Sequence, residues 1–401
     1  GRVFVADKDR HTVHALDAGS GKSLWSYTAG GRIDSPPTWH NGRLLFGAAD
    51  GFVYCLRAAD GALAWRFRAA PRDRRMVAFE QVESVWPVPG SVLVRDGVAT
   101  VIAGRCMFLD GGLRLCRLDA ATGRLLSETT LDERDPQSGQ KLQDRVRGLN
   151  MPVALNDVLS SDGEFVYMRS QAFDTEGNPA GEGGKDRDHL FAPYGFADDE
   201  WFHRSYWMFS DRFQGGVGGF GNGKQKPAGR ILANNDSTVF GYGRKPEYYR
   251  WGSAIDYHLF AAVRPGTESA PAEPVKSKRG KRRSSVVYRW SRDIPLMVRA
   301  LAVAGDVLLV AGPADLVDED ESFQNFTDPQ MQRQLKAQDA ALKGETGALL
   351  HAVDAGTGET LAEYKLASPP VFDGLSVAGG QVFIVTTDGR VLAFAEDEQS
   401  E

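Results

Sequence analysis

The sequence predicts an all-β fold, a β-propeller of about seven four-stranded antiparallel blades with eight as the alternative, and three observations predict it. First, Ile33 to Phe67 breaks into short apolar runs separated by Asn41-Gly42, Asp50-Gly51 and Asp60-Gly61, the strongest local hairpin signal and here the mark of a four-stranded meander. Second, both middle runs are apolar on two faces. Leu44, Phe46 and Ala48 alternate with Arg43, Leu45 and Gly47, and Phe52, Tyr54 and Leu56 with Val53, Cys55 and Arg57. Such a sheet needs cover on both sides, and radial stacking of like sheets supplies it. Third, the last two runs recur as VHALDAGSGKSLWSY from Val13, VYCLRAADGALAWRF from Val53, LCRLDAATGRLLSET from Leu115 and LHAVDAGTGETLAEY from Leu350. Self-similarity of this grade marks a repeat architecture.

Each copy has a physical reading. Asp17, Asp119 and Asp354 stand four residues before Gly21, Gly123 and Gly358, where a carboxylate accepts turn amides and glycine takes positive φ. Trp25 and Trp65 then begin the outer strand, placed to seal one blade against the next. In chain order, blade one spans Gly1 to Tyr27 and blade two Ile33 to Phe67. The basic loop holding Arg68, Arg72, Arg74 and Arg75 reads as a solvated linker. Blade three runs from Ser91 through the hairpin at Gly111. Asp132 to Arg147 is a polar excursion, and blade four starts near Asn150. Blade five takes RILANNDSTVFGYGRKPEYYRW and YHLFAAVR, and residues 266–285 (GTESAPAEPVKSKRGKRRSS) have the composition of a disordered basic insertion. Blade six starts at Leu296 and is interrupted by residues 315–343, where Pro329 and Gly344 bracket one short surface helix. Blade seven runs from Val371. The reading is of one domain over 1–401. Because Gly1-Arg2-Val3 aligns with the second strand of a blade, it is expected to be a fragment of a longer protein.

The pattern A-x-D-x-x-x-G-x-x-x-W resembles the repeat of the PQQ-like (quinoprotein-type) β-propellers, a family that includes scaffold proteins similar to the BamB outer-membrane assembly lipoprotein. The likeness is clear at both ends and weak between about Asn150 and Arg289. Arg57 replaces the Asp of the second copy, and Ser127 and Ala362 replace the Trp of later ones, so those blades should be sealed less tightly. The resemblance implies either a binding scaffold or a PQQ-dependent dehydrogenase. The dehydrogenases hold the quinone between a Trp and a ring of two adjacent Cys, with calcium and a carboxylate base. The Cys here are Cys55, Cys106 and Cys116, so PQQ and calcium are disfavoured and no cofactor is expected. Cys106 and Cys116 flank the turn at Asp110-Gly111-Gly112, which leaves open a cross-strand disulfide or two small thiols.

A net charge of −6 gives no basis for nucleic-acid binding, and no apolar run approaches a membrane span. The partners to expect are a protein or a carbohydrate, met by a monomeric domain of a larger periplasmic or secreted chain. Several motif fragments carry nothing. Gly19-Ser20-Gly21-Lys22-Ser23 lacks the earlier glycine of a phosphate loop, and Gly216 to Gly221 matches a dinucleotide pattern without its strand and helix. His11 and His14 lack neighbouring ligands, and Asp318-Glu319-Asp320-Glu321 lacks calcium-loop spacing. No metal is expected.

What remains is the start of each innermost strand, which lines one mouth of a propeller's channel. Register against Ser35 places Arg32, Asp34, Glu83, Trp86, Asn156, Asp157, His203, Arg204, Arg299 and Asp373 there, with Trp201 and Trp207 beside them. Guanidinium, carboxylate and indole groups suit a sugar or peptide. Alternatively they pair with one another. The aromatic cluster from Trp201 to Arg212 is the least repeat-like stretch, and Asp198, Asp199, Glu200 and Asp211 are candidates for glycan cleavage. The expected function is a noncatalytic binding or scaffold module for a polar ligand or protein at the central funnel. The alternative is an enzyme, either PQQ-dependent or a carbohydrate-active hydrolase or lyase.

Overall fold

The computed structural model describes residues 1–134, 138–141, 156, 158–169, 171–180, 187–192, 207–211, 226–245, 256–265, 267 and 286–395. The chain divides into two compact units, Gly1–Phe196 and Ala197–Glu401, each a series of antiparallel meanders.

In the first unit, β1 (Arg2–Asp7), β2 (Thr12–Asp17) and β3 (Ser23–Thr28) form one sheet. A four-stranded sheet follows: β4 (Thr38–His40), β5 (Arg43–Gly47), β6 (Phe52–Arg57) and β7 (Leu63–Arg68). Then come a hairpin of β8 (Arg75–Ala78) and β9 (Gln81–Ser84), and a second four-stranded sheet of β10 (Leu93–Arg95), β11 (Val98–Ala103), β12 (Leu113–Asp119) and β13 (Leu125–Leu131). The unit ends with β14 (Leu159–Ser161), β15 (Val166–Met168) and β16 (Gln171–Phe173), and with β17 (His189–Phe191).

The second unit opens with β18 (Trp207–Ser210) and β19 (Ala228–Gly229). The sheet β20 (Ile231–Asn234), β21 (Thr238–Arg244), β22 (Tyr257–Val263) and β23 (Tyr288–Arg292) comes next, then β24 (Ala300–Ala304), β25 (Val307–Gly312), β26 (Ala348–Asp354) and β27 (Thr360–Leu366). Between β25 and β26 stand α1 (Glu319–Asn325) and α2 (Pro329–Leu342), and β28 (Pro370–Ala378), β29 (Gln381–Thr386) and β30 (Val391–Ala395) form the last sheet.

The cores lie between successive sheets, as two-faced strands require. Leu44, Phe46, Tyr54 and Leu56 pack with Val13, Phe4 and Trp25 on one side. Leu45, Val53 and Cys55 pack with Ala99, Val101, Cys116 and Leu118 on the other. In the second unit, Trp290, Val310 and Val353 share one layer, and Leu309, Leu350 and Ile384 the next. The all-β blade architecture expected from the repeats is the one found.

Tryptophan seals the sheets by one recurring contact. The Trp25 indole donates to the Ala58 carbonyl at 3.2 Å, and its ring covers Gly61, where a Cβ would come within 2.6 Å of it. Trp65 does the same to Ala120 at 3.2 Å and to Gly123, and Trp290 to Ala355 at 2.9 Å and to Gly358. Where Ser127 stands in place of the ring, its hydroxyl donates to the Glu176 carbonyl at 2.6 Å.

Two expectations are corrected, and the alternative left open for Cys106 and Cys116 is decided. The basic stretch after β7 leads into the hairpin β8–β9, because Arg75 to Ala78 and Gln81 to Ser84 pair across a turn at Phe79-Glu80. The insertion after β25 holds two helices. α2 starts at Pro329 behind its cap Asp328, as expected, while α1 is capped by Asp318, whose carboxylate accepts the Glu321 amide at 2.7 Å. The acidic run is thus a helix start, where carboxylates are favoured by the backbone dipoles. Finally, β11 ends at Ala103, with Gly104 at φ +118, so Cys106 lies off the strand while Cys116 faces Val101. All three thiols are free. The 266–285 insertion falls outside the described residues except at Thr267.

Candidate functional site

The Ala48–Gly51 turn joining β5 to β6 is the hub that assembles the site in the first unit. The Ala49 amide donates to the Arg32 carbonyl at 2.8 Å, the Ser84 amide to Ala49 at 2.7 Å, and the Val88 amide to Ala48 at 3.1 Å. The segment before β4 and the end of β9 therefore lie side by side. Gly31 permits this approach, since a Cβ there would come within 2.5 Å of the Asp50 nitrogen.

The result is a paired ionic lattice. Arg32 grips Asp34 at 2.5 and 3.1 Å and also bonds one oxygen of Glu83. The other Glu83 oxygen takes Arg105 at 2.5 Å, and Arg105 is brought there by the Gly104 amide bonding Pro87 at 2.9 Å. Glu83 is 1% and Arg32 8% exposed. Burial works against the Arg32 charge, but the bonds and charges of Asp34 and Glu83 outweigh it and hold its pKa above the ordinary value. Two cations and two anions thus neutralise one another inside the protein.

This lattice carries the hairpin. On the inner face of β8–β9, Glu83 meets Arg32, and Gln81 bonds the His11 ring at 2.8 Å. The Phe79 ring at the turn lies 4.7 Å from the Arg32 guanidinium, within cation–π range. Trp86 donates its indole hydrogen to the Asp110 carbonyl at 3.0 Å and otherwise sits in the apolar layer beside Val85 and Val88. The Asn156 amide donates to Ile102 and Gly104 carbonyls at 3.1 and 3.0 Å.

Of the residues named from sequence, Arg32, Asp34 and Glu83 meet directly, and Trp86 and Asn156 flank them. Phe79 and Arg105 were missed. Arg105 had a signal, a charged residue just after the glycine that ends an apolar strand; Phe79 had none short of the hairpin itself.

In the second unit, the Asp373 amide donates to the Arg299 carbonyl at 2.9 Å, which joins those two positions. The Arg299 side chain donates to the Leu342 carbonyl at 3.3 Å. Asp373 is exposed, and desolvation by the surrounding protein pushes its carboxyl up to about 6. Trp207 opens β18, half-buried. Trp201, His203, Arg204 and Asp157 lie outside the described residues, as do Asp198, Asp199 and Glu200. Sequence reading missed Arg230 and Arg244, each 1% exposed. Arg230 stands just before β20 as Arg299 stands before β24, and it lies 5.8 Å over the Phe372 ring.

The thiols of Cys55 and Cys116 are buried between sheets, and burial pushes them up to about 11 and about 12; neither neighbours another Cys in the chain. Among the described residues, no group of three or more His, Cys, Asp or Glu is placed to hold a metal ion.

Residues 1–176 match the family described as outer membrane protein assembly factor BamB. No curated protein matches. Among solved structures, the chain is similar to BamB from Moraxella catarrhalis, at 12% identity and TM-score 0.40, over 100% of this chain and 80% of that one. It is also similar to the computationally designed Ika8 protein, at 13% and 0.45, over 98% and 93%. A third is quinohemoprotein alcohol dehydrogenase from Comamonas testosteroni, at 12% and 0.45, over 96% and 68%. Over residues 1–176, where three of the four sequence copies lie, the chain is similar to that BamB-like family.

Proposed function

We propose that this chain is a noncatalytic binding or scaffold module that works without PQQ or calcium, and that it takes a protein partner on the platform built by Arg32, Asp34, Glu83 and Arg105. The observation that carries the reading is the self-paired lattice. Charges that already satisfy one another give up little to a small ligand, but they fix the loops around them. What they fix is a hairpin presenting Val77, Phe79 and Val82 to solvent at 73, 75 and 57% exposure. Displayed aromatic and β-branched side chains on a rigid base are the anatomy of a protein-docking element. The BamB-like repeat, whose family bears the name of an assembly factor, supports the same class and an exported setting.

A photo-crosslinking residue at Phe79 should give a discrete adduct in the native cell, and one at the exposed Leu361 should not. Glu83→Gln should abolish the adduct. Identical products from both positions would overturn the reading. Reconstitution with PQQ and calcium should leave the absorbance of the mixture equal to the sum of its parts, and alcohol oxidation there would establish the enzyme instead.

A further inference from the structure

We propose that the hairpin β8–β9 of one copy docks on the α1 segment of a second copy, so that this chain associates with itself. The inference rests on the reading of the hairpin as a docking element and names its partner.

The register pairs Arg75 with Ser84 and Val77 with Val82 on the face turned away from Gln81 and Glu83. On that outer face Val77 and Val82 are 73 and 57% exposed, and Phe79 at the turn is 75% exposed, while Met76, at 40%, pairs with Glu83 on the other face. Phe79 and Glu80 both hold positive φ, 48° and 61°. Asn-Gly would make such a turn freely, whereas a bulky ring there is strained, and strain of this kind collects where a side chain must be presented. Arg72, Arg74 and Arg75 surround the patch, all exposed. Arg74 and Arg75 make loose surface pairs with Asp110 at 3.6 Å and Asp73 at 3.3 Å.

The α1 segment is the chemical complement. Phe323 and Phe326, three residues apart and so on one side of the chain, are 71 and 62% exposed, and Leu316 is 45% exposed. α1 has no fully buried residue, carries Asp320 and Glu321 in its first turn behind Asp318 beside the partly buried Glu319, and has no basic residue in its last turn. One patch is apolar with a net basic border, Arg72, Arg74 and Arg75 against Asp73 and Glu80, and the other is apolar within an acidic border. Bringing them together removes both from water and sets opposite charges at the rim, the arrangement that gives an interface its specificity. An anionic lipid surface would suit the hairpin but repel α1. If two copies are related by a two-fold axis the contact is made twice; in a head-to-tail arrangement it is made once per junction.

Sedimentation velocity of the full chain across a wide concentration range tests this. A concentration-dependent increase in mass is expected, weakening as salt is added. Phe79→Ser and Phe323→Ser should each weaken association on the order of tenfold or more, as loss of a buried aromatic anchor does. A variant with Arg72, Arg74 and Arg75 changed to Glu should be monomeric alone, and so should one with Asp320→Lys and Glu321→Lys. Mixing the two should restore the complex, which separates charge pairing from misfolding. A wild-type chain monomeric at every concentration, or a mixture that does not associate, overturns the inference. If the wild type is monomeric but crosslinks a different protein through Phe79, self-association is wrong and the binding-module reading stands. If Phe79 instead drives binding to phosphatidylglycerol vesicles, both are wrong.

Discussion

Glu83 shows how much rests on single side chains. Its carboxylate is almost fully buried between the guanidiniums of Arg32 and Arg105, so Glu83→Gln leaves two cations with one fewer anion in a dry setting. A loss of about 3–5 kcal/mol is expected, the usual penalty for breaking a buried pair, read from urea unfolding followed by tryptophan fluorescence. Gly123 is a second such position. It holds φ +74 and lies under Trp65, with 2.6 Å between a would-be Cβ and the ring. Gly123→Ala should cost about 1–3 kcal/mol by overpacking and backbone strain, while Gly97→Ala, at φ +75 in open space, should cost the backbone part alone. Among the thiols, Cys55 and Cys116 should stay silent to a disulfide reagent until the chain unfolds, and half-buried Cys106 should react first.

At the scale of elements, α1 is the segment most sensitive to pH. Burial pushes the Glu319 carboxyl up to about 8, with Asp315, Asp256 and Asp318 adding to the shift. Burial likewise raises Asp315 to about 6. Both groups favour the protonated form in the folded chain, so the docked state binds protons that the free segment releases. The packing of α1 on its own chain is therefore most stable below the ordinary carboxyl range, and that contribution is lost progressively as pH rises from there to about 8. Hydrogen exchange of the α1 amides should speed up over that window beyond the chemical trend, and Glu319→Gln should flatten the dependence. Asp318→Ala should loosen the same amides by about 1 kcal/mol through loss of the cap.

For the whole molecule, acid stability turns on buried histidines. Burial lowers His258 to about 3 and also lowers His189 and His351. Unfolding lets each take up a proton near its ordinary value, so stability should fall as pH drops below about 6.5. A declining melting temperature between pH 6.5 and 5 checks this, and His258→Asn should reduce the slope. The sheets themselves should unfold cooperatively within each unit, since every interior layer is shared by two neighbouring sheets.

The repeats alone determined the meanders at both ends of the chain, their turns and the facing of their strands, because Asp-Gly and Asn-Gly turns and period-two apolar patterning are local properties. They also named Arg32, Asp34 and Glu83 as neighbours in kind, through the register carried from one copy to the next. Tertiary structure alone decided that these three charges bind each other, that Arg105 completes them and that Phe79 overhangs them. Those contacts join residues far apart in the chain through the Ala48–Gly51 turn, and no window of sequence records which distant carbonyl a backbone amide will find. The same reason hid α1. Its acidic run reads as solvated surface until the Asp318 side chain is seen closing the first turn of a helix.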